Sequence, residues 1–131
     1  MQRDFQKYDK LLEQSLENYD KLSKDNRVKG KIEGLAFDEL LHSYTLAQNM
    51  GDRIRQIEEE NQTLDSTNPV DKYTLEVNNR DLAKLKEDKR ILDQRVENAL
   101  ENPKAFNELM EERRIGLLQK TMFFMNQAAI E

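Results

Sequence analysis

The sequence predicts an all-α fold: an elongated helical hairpin or coiled coil with flanking amphipathic helices, suited to assembly as an oligomeric helical bundle. Three observations carry this. Apolar residues recur at steps of three and four along most of the chain, the spacing that gathers side chains on one face of a helix. Charged residues make up 36% of the 131 and the hydrophobic set 37%, against about 25% and 45–50% in ordinary globular domains. So little apolar material suits a narrow helical stripe better than the all-round core of a globule. Two Pro and four Gly also leave few turn-makers for a β protein. A single all-helical unit over 1–131 follows, with helices at about 3–24, 35–64, 69–101 and 103–129 and a flexible joint at about 25–34.

In the first helix Phe5, Tyr8, Leu12, Leu16, Tyr19 and Leu22 fall on one face, and that stripe calls for a cover. The joint "DNRVKGKIEG" contains Gly30 and Gly34, each weakening a helix by roughly 1 kcal/mol relative to Ala. It reads as a solvated loop or weakened helical link. Arg27, Lys29 and Lys31 make it the most basic spot in the chain. They form a weak candidate anion contact, with no aromatic interleaved to stack on bases.

The second helix holds a heptad pattern, with Leu40, Ala47, Ile54 and Asn61 at a and Ser43, Met50, Ile57 and Leu64 at d. Asn61 is the candidate register-setting residue, because a polar Asn on an apolar seam costs stability yet fixes alignment with a suitable partner. From 33 to 65 there are eight acidic residues and two Arg, the composition of a solvated face. "DSTNPVDKY" then stops one helix and starts another: Asn68 can cap, Pro69 fits the first helical position, and Asp71 favours the N-terminal dipole. The third helix continues in heptads through Leu75, Leu82, Lys89 and Val96 at a, and Asn78, Leu85, Leu92 and Ala99 at d. A short connection makes the two helices antiparallel neighbours. Folding back at Thr67 sets Ile57 near Val77 or Asn78, Met50 near Leu85, and Leu40 near Val96. A parallel homodimer through the third helix would stack Lys89 on Lys89, which favours the hairpin.

Asn102-Pro103 repeats the cap-and-start signal, with the residue before Pro biased away from helix. Beyond it, ten of the sixteen residues from Ile115 to Ile130 are apolar, on nearly every side of the last helix. Such a segment calls for more than one neighbour, yet it is too short and too polar to cross a bilayer. It can close the core between the hairpin and the first helix, join copies of the chain, or dock a different protein. The candidate protein interface is Ile115, Leu117, Leu118, Met122, Phe123, Phe124 and Met125.

The chemistry of catalysis is sparse. There is no Cys and a single histidine, His42, so thiolate sites and His-pair metal sites cannot be built within one chain. No Gly-rich phosphate loop or alternating-Asp calcium loop is present. No enzyme, cofactor or metal is expected. The N-terminus lacks an apolar leader, so the expected setting is cytoplasmic or otherwise intracellular. The leading expectation is a non-enzymatic structural or assembly protein: a coiled-coil oligomerising scaffold or adaptor, itself a homo-oligomer, with protein partners. A small helical chaperone shielding an apolar client segment is the alternative. A nucleic-acid-associated regulator is a further one, and the net charge of −5 argues against nucleic acid as a general partner.

Overall fold

The computed structural model describes residues 2–130, with side-chain surroundings for 8–129; the side chains of Phe5 and Ile130 lie outside that range. Four helices follow in order: α1 (Gln2–Lys24), α2 (Gly34–Gln62), α3 (Pro69–Glu101) and α4 (Pro103–Ile130). Among the described residues there is no strand. The fold is all-α.

The boundary between α2 and α3 is built by side chains suited to it. Asn68 is extended (φ −83°, ψ 126°) and its Oδ1 accepts from the Val70 and Asp71 N–H groups at 2.9 and 3.3 Å. A cap of this kind stabilises a helix by about 1 kcal/mol. Pro69 follows at the first helical position, where its missing N–H leaves no carbonyl unpaired. At the far end, Asn102 leaves helical geometry (φ −136°, ψ 75°) and its Oδ1 accepts from Ala105 N–H at 3.3 Å. It therefore ends α3 and caps α4.

α2 and α3 lie antiparallel, with Leu40 and Val96 in one buried cluster as expected, but toward the connection the register is about one turn away from the one the sequence predicts. Ile54 and Ile57 pack with Leu82 and Leu85, rather than Ile57 with Val77 or Asn78. The Lys89 stem, rather than Leu85, reaches the Met50–Gly51 level of α2, its Cε lying 3.1 Å from where a Gly51 Cβ would be. Folding about Thr67 counts the connection as shared equally between the helices. In fact α2 stops at Gln62, and the first turns of α3 lie beside the connecting residues, as Asp65 N–H donating to Asp71 Oδ2 at 3.0 Å shows. Val70 and Tyr73 stay exposed there.

The main core sits at the opposite end of the hairpin. Leu22, Val28, Ile32, Ala36, Leu40, Val96, Ala99 and Leu100 form one buried cluster, with Phe37, Leu41, Tyr44, Phe106 and Met110 packed on it. Each buried Leu, Ile or Val there contributes roughly 1.5–3 kcal/mol. Residues 25–33 differ from the solvated joint the sequence suggests. Val28 and Ile32, four apart, are both buried. Their backbone is turned by Val28 N–H and Lys29 N–H to Asp25 C=O and by Lys31 N–H and Ile32 N–H to Val28 C=O. Gly30 and Gly34 take φ of +74° and +60°, a conformation that glycine adopts without the Cβ penalty.

α1 lies along α2 with its polar side inward. Asn18, only 4% exposed, donates to Thr45 Oγ1 at 3.0 Å and to Gln48 Oε1 at 2.8 Å, and Gln14 donates to the same Gln48 oxygen. Leu22 alone of the described stripe residues enters the core, while Tyr8, Leu12, Leu16 and Tyr19 remain exposed. Most of the stripe that calls for a cover thus stays open among the described residues. Tyr19 keeps one edge-on contact with the Phe37 ring, centroids 5.3 Å apart.

Candidate protein-interaction surface

α4 has two parts. Its first two turns are tied down: Phe106 and Met110 pack on the main cluster, and the Asn107 side-chain amide donates to Lys31 C=O. Where it leaves the hairpin, Leu40, Val96, Ala99, Phe106, Leu109 and Met110 line part of a cleft of about 420 Å³ between α2, α3 and α4. Glu111 and Arg113 still line clefts shared with the 30–36 segment and with α2 and α3; from Ile115 onward no packing against another helix is seen among the described residues. Ile115, Leu117, Leu118, Met122, Phe123, Phe124 and Met125 are all exposed, Leu117 to 67% and Phe124 to 68%. The Phe123 and Phe124 rings meet each other edge to face, centroids 5.8 Å apart. Closing the core is therefore not what this segment does within one chain. Large apolar side chains on adjoining turns of one free helix amount to a patch that isolated chains rarely leave open.

The electrostatics of the free segment are one-sided. Arg113, Arg114 and Lys120 are its only charged residues between 113 and 129, with no acid among them. At its root the Arg114 guanidinium bonds to the Glu111 carboxylate, which holds the Glu111 carboxyl below its ordinary range.

The remaining residues singled out from sequence lie elsewhere. Asn61 is half-buried near the end of α2, accepting from Asn78 Nδ2 at 2.9 Å and donating to Asn79 Oδ1 at 3.3 Å. Its polar partners therefore come from α3 of the same chain. Arg27 folds back on Asp25: its Nη2 and Nε donate to the carboxylate at 3.1 and 3.3 Å, and its own N–H donates at 2.8 Å. These bonds, the side-chain ones foremost, lower the Asp25 carboxyl and raise the Arg27 guanidinium. Lys29 and Lys31 are exposed on the same turn, and His42 is exposed on α2. These groups do not converge with the free end of α4.

One exposed surface lies outside the interface residues that the sequence singles out. Tyr8, Leu12, Leu16 and Tyr19 carry the same kind of exposed apolar row as α4. Their three-and-four spacing was the available signal, and it reads as core until the inward role of Gln14 and Asn18 is seen. Among the described residues, no helix is long and apolar enough to cross a membrane, and no group of three or more His, Cys, Asp or Glu is placed to hold a metal ion. No known protein family, curated protein or solved structure matches the chain.

Proposed function

We propose that the chain is a non-enzymatic assembly protein, a helical scaffold or adaptor that joins copies of itself or protein partners through the apolar end of α4. The observation that carries this reading is the exposure of Leu117, Met122, Phe124 and Met125 on a segment with no packing neighbour among the described residues. Burying such side chains is worth roughly 1.5–3 kcal/mol each, and the described helices of this chain leave them without cover. The hairpin beneath is a rigid stem of roughly 45–50 Å at 1.5 Å per residue, which would hold joined partners at a set spacing.

The test is solution mass by light scattering, wild type beside Phe124→Asp. The expected result is a discrete oligomer that falls to a folded monomer in the variant, because an exposed substitution leaves monomer stability within about 0.5 kcal/mol. A wild type that is monomeric at every concentration overturns self-assembly.

A helical chaperone is the second reading, favoured by the apolar cleft at the root of α4 and by methionines, whose flexible thioethers suit varied apolar clients. It predicts capture of apolar peptides that Met110→Asp weakens. A nucleic-acid role draws less support, since Asp25 engages one of the three basic residues of the 27–31 turn.

A further inference from the structure

The described part of α1 runs beside α2 alone, and what holds it there changes along its length. At the base, Leu22 is buried in the main cluster together with Val28 and Ile32 of the following turn. Asp25 N–H donates to Leu22 C=O at 3.2 Å, so this end is anchored. Above the base the contact is polar. Gln48 Oε1 accepts from both Gln14 and Asn18, each at 2.8 Å. Asn18 also donates to Thr45 Oγ1, and Lys21 Nζ donates to the Tyr44 hydroxyl. Tyr8, Leu12, Leu16 and Tyr19 are exposed already, and Tyr19 adds only its ring contact with Phe37.

That division separates two kinds of opening. Parting α2 from α3 puts the buried Leu40, Ile57 and Val96 into water. Lifting α1 above Leu22 bares Gln14, Asn18, Thr45 and Gln48, whose lost bonds water replaces, and leaves the apolar row as exposed as before. Segments with few buried apolar contacts open most readily within a fold. α1 is also one wall of a cleft of about 1000 Å³, with Tyr44, Ala47, Ile54, Val96 and Leu100 of the hairpin among the residues that line the rest.

We infer that α1 is a strap that lifts from α2 as one unit, pivoting at Leu22, while the α2–α3 hairpin stays folded. The lifted form is a minor state of about 0.1–10%, and in it the cleft loses a wall and opens along the hairpin. Gln48 is the clasp, because its one oxygen holds both Gln14 and Asn18. Off α2 a helix of this length is marginal in water, so lifting also releases its amide hydrogens to exchange.

Amide hydrogen exchange, resolved by overlapping fragments in mass spectrometry, tests it at dilutions where the chain is monomeric and in urea below the unfolding range. The samples are wild type, Gln48→Ala, and Asn18→Leu combined with Gln48→Leu. In the wild type, amides from Lys10 to Tyr19 should share one protection level, at least about 100-fold below that of Ile54 to Ile57. Urea should change it little, because little surface is exposed on lifting. Gln48→Ala should speed exchange in α1 about tenfold, for two lost bonds, and leave the hairpin unchanged. The double Leu variant replaces the polar clasp with an apolar contact and should slow exchange in α1. An α1 that exchanges only together with the hairpin, at the same protection and urea slope, overturns the inference. So does protection that falls steadily toward the N-terminus and ignores all three substitutions, which is fraying of the helix end without lifting.

Discussion

α2 meets α3 and α1 in opposite ways. Against α3 it buries Leu40, Ile54 and Ile57, and charged residues such as Lys86 and Glu58 meet at the rim at 3.0 Å. Against α1 it offers Thr45, Gln48 and the Tyr44 hydroxyl, which takes a bond from Lys21 at 2.9 Å. The first contact is held by removing apolar area from water. The second is apolar only at its base, where Leu22 and Tyr19 meet α2, and is otherwise held by polar groups satisfying one another, each net bond worth only about 0.5–1.5 kcal/mol. An amphipathic pattern therefore states that one face needs cover without saying that the chain's own helices provide it.

The largest test of that contrast is a pair of truncations. Leu40→Ala removes a side chain that is 1% exposed and should cost about 2–5 kcal/mol in urea melts. Leu16→Ala, on the outer face of α1, should stay within about 0.5 kcal/mol at dilutions where the chain is monomeric. Equal losses would mean that the α1 row is covered after all.

Glycines sharpen the comparison at a smaller scale. Gly116 lies in the free part of α4, and a Cβ there meets nothing within 4 Å. Gly116→Ala should add up to about 1 kcal/mol of local helix stability, read as roughly fivefold slower amide exchange around it. Gly51→Ala should gain less, because its Cβ meets the Lys89 stem at 3.1 Å, which must shift.

The smallest effect is electrostatic. Arg27 lowers the Asp25 carboxyl, so the ionised form is favoured by folding. That contribution is complete above the ordinary carboxylate range and is lost as pH falls through the lowered value of the folded state. Asp25→Asn should therefore be slightly less stable than wild type at pH 7, with the gap closing in strong acid. A gap independent of pH would mean that the turn needs only a hydrogen-bond acceptor there.

The helix boundaries were legible because Asn68-Pro69 and Asn102-Pro103 are local signals whose capping bonds form within three residues. The hairpin register was harder. It depends on how much of α3 runs beside the connecting loop, and no heptad pattern contains that length. Gly30 and Gly34 announced a break, but the turn that buries Val28 and Ile32 depends on their meeting Leu22 and Leu100 from distant helices. The apolar character of Ile115–Met125 was plain from composition. Its exposure among the described residues was not, since hydrophobicity specifies a need and leaves the occupant open. The orientation of α1 is not legible from its apolar stripe, because a polar network such as Asn18–Gln48 leaves no periodic trace in a count of apolar residues.

The short link between α2 and α3 also orders events in time. Closing a loop of a few residues takes on the order of 10–100 ns and little entropy, and the pairs it brings together are near in sequence, the condition for fast folding. The hairpin should therefore form first, from the middle of the chain outward. Val28 and Ile32 then bring in the turn and the base of α1, while Phe106 and Met110 seat the root of α4. The outer face of α1 and the tip of α4 take part in none of these steps, so assembly can begin from a finished fold and needs no partial unfolding to expose its surfaces.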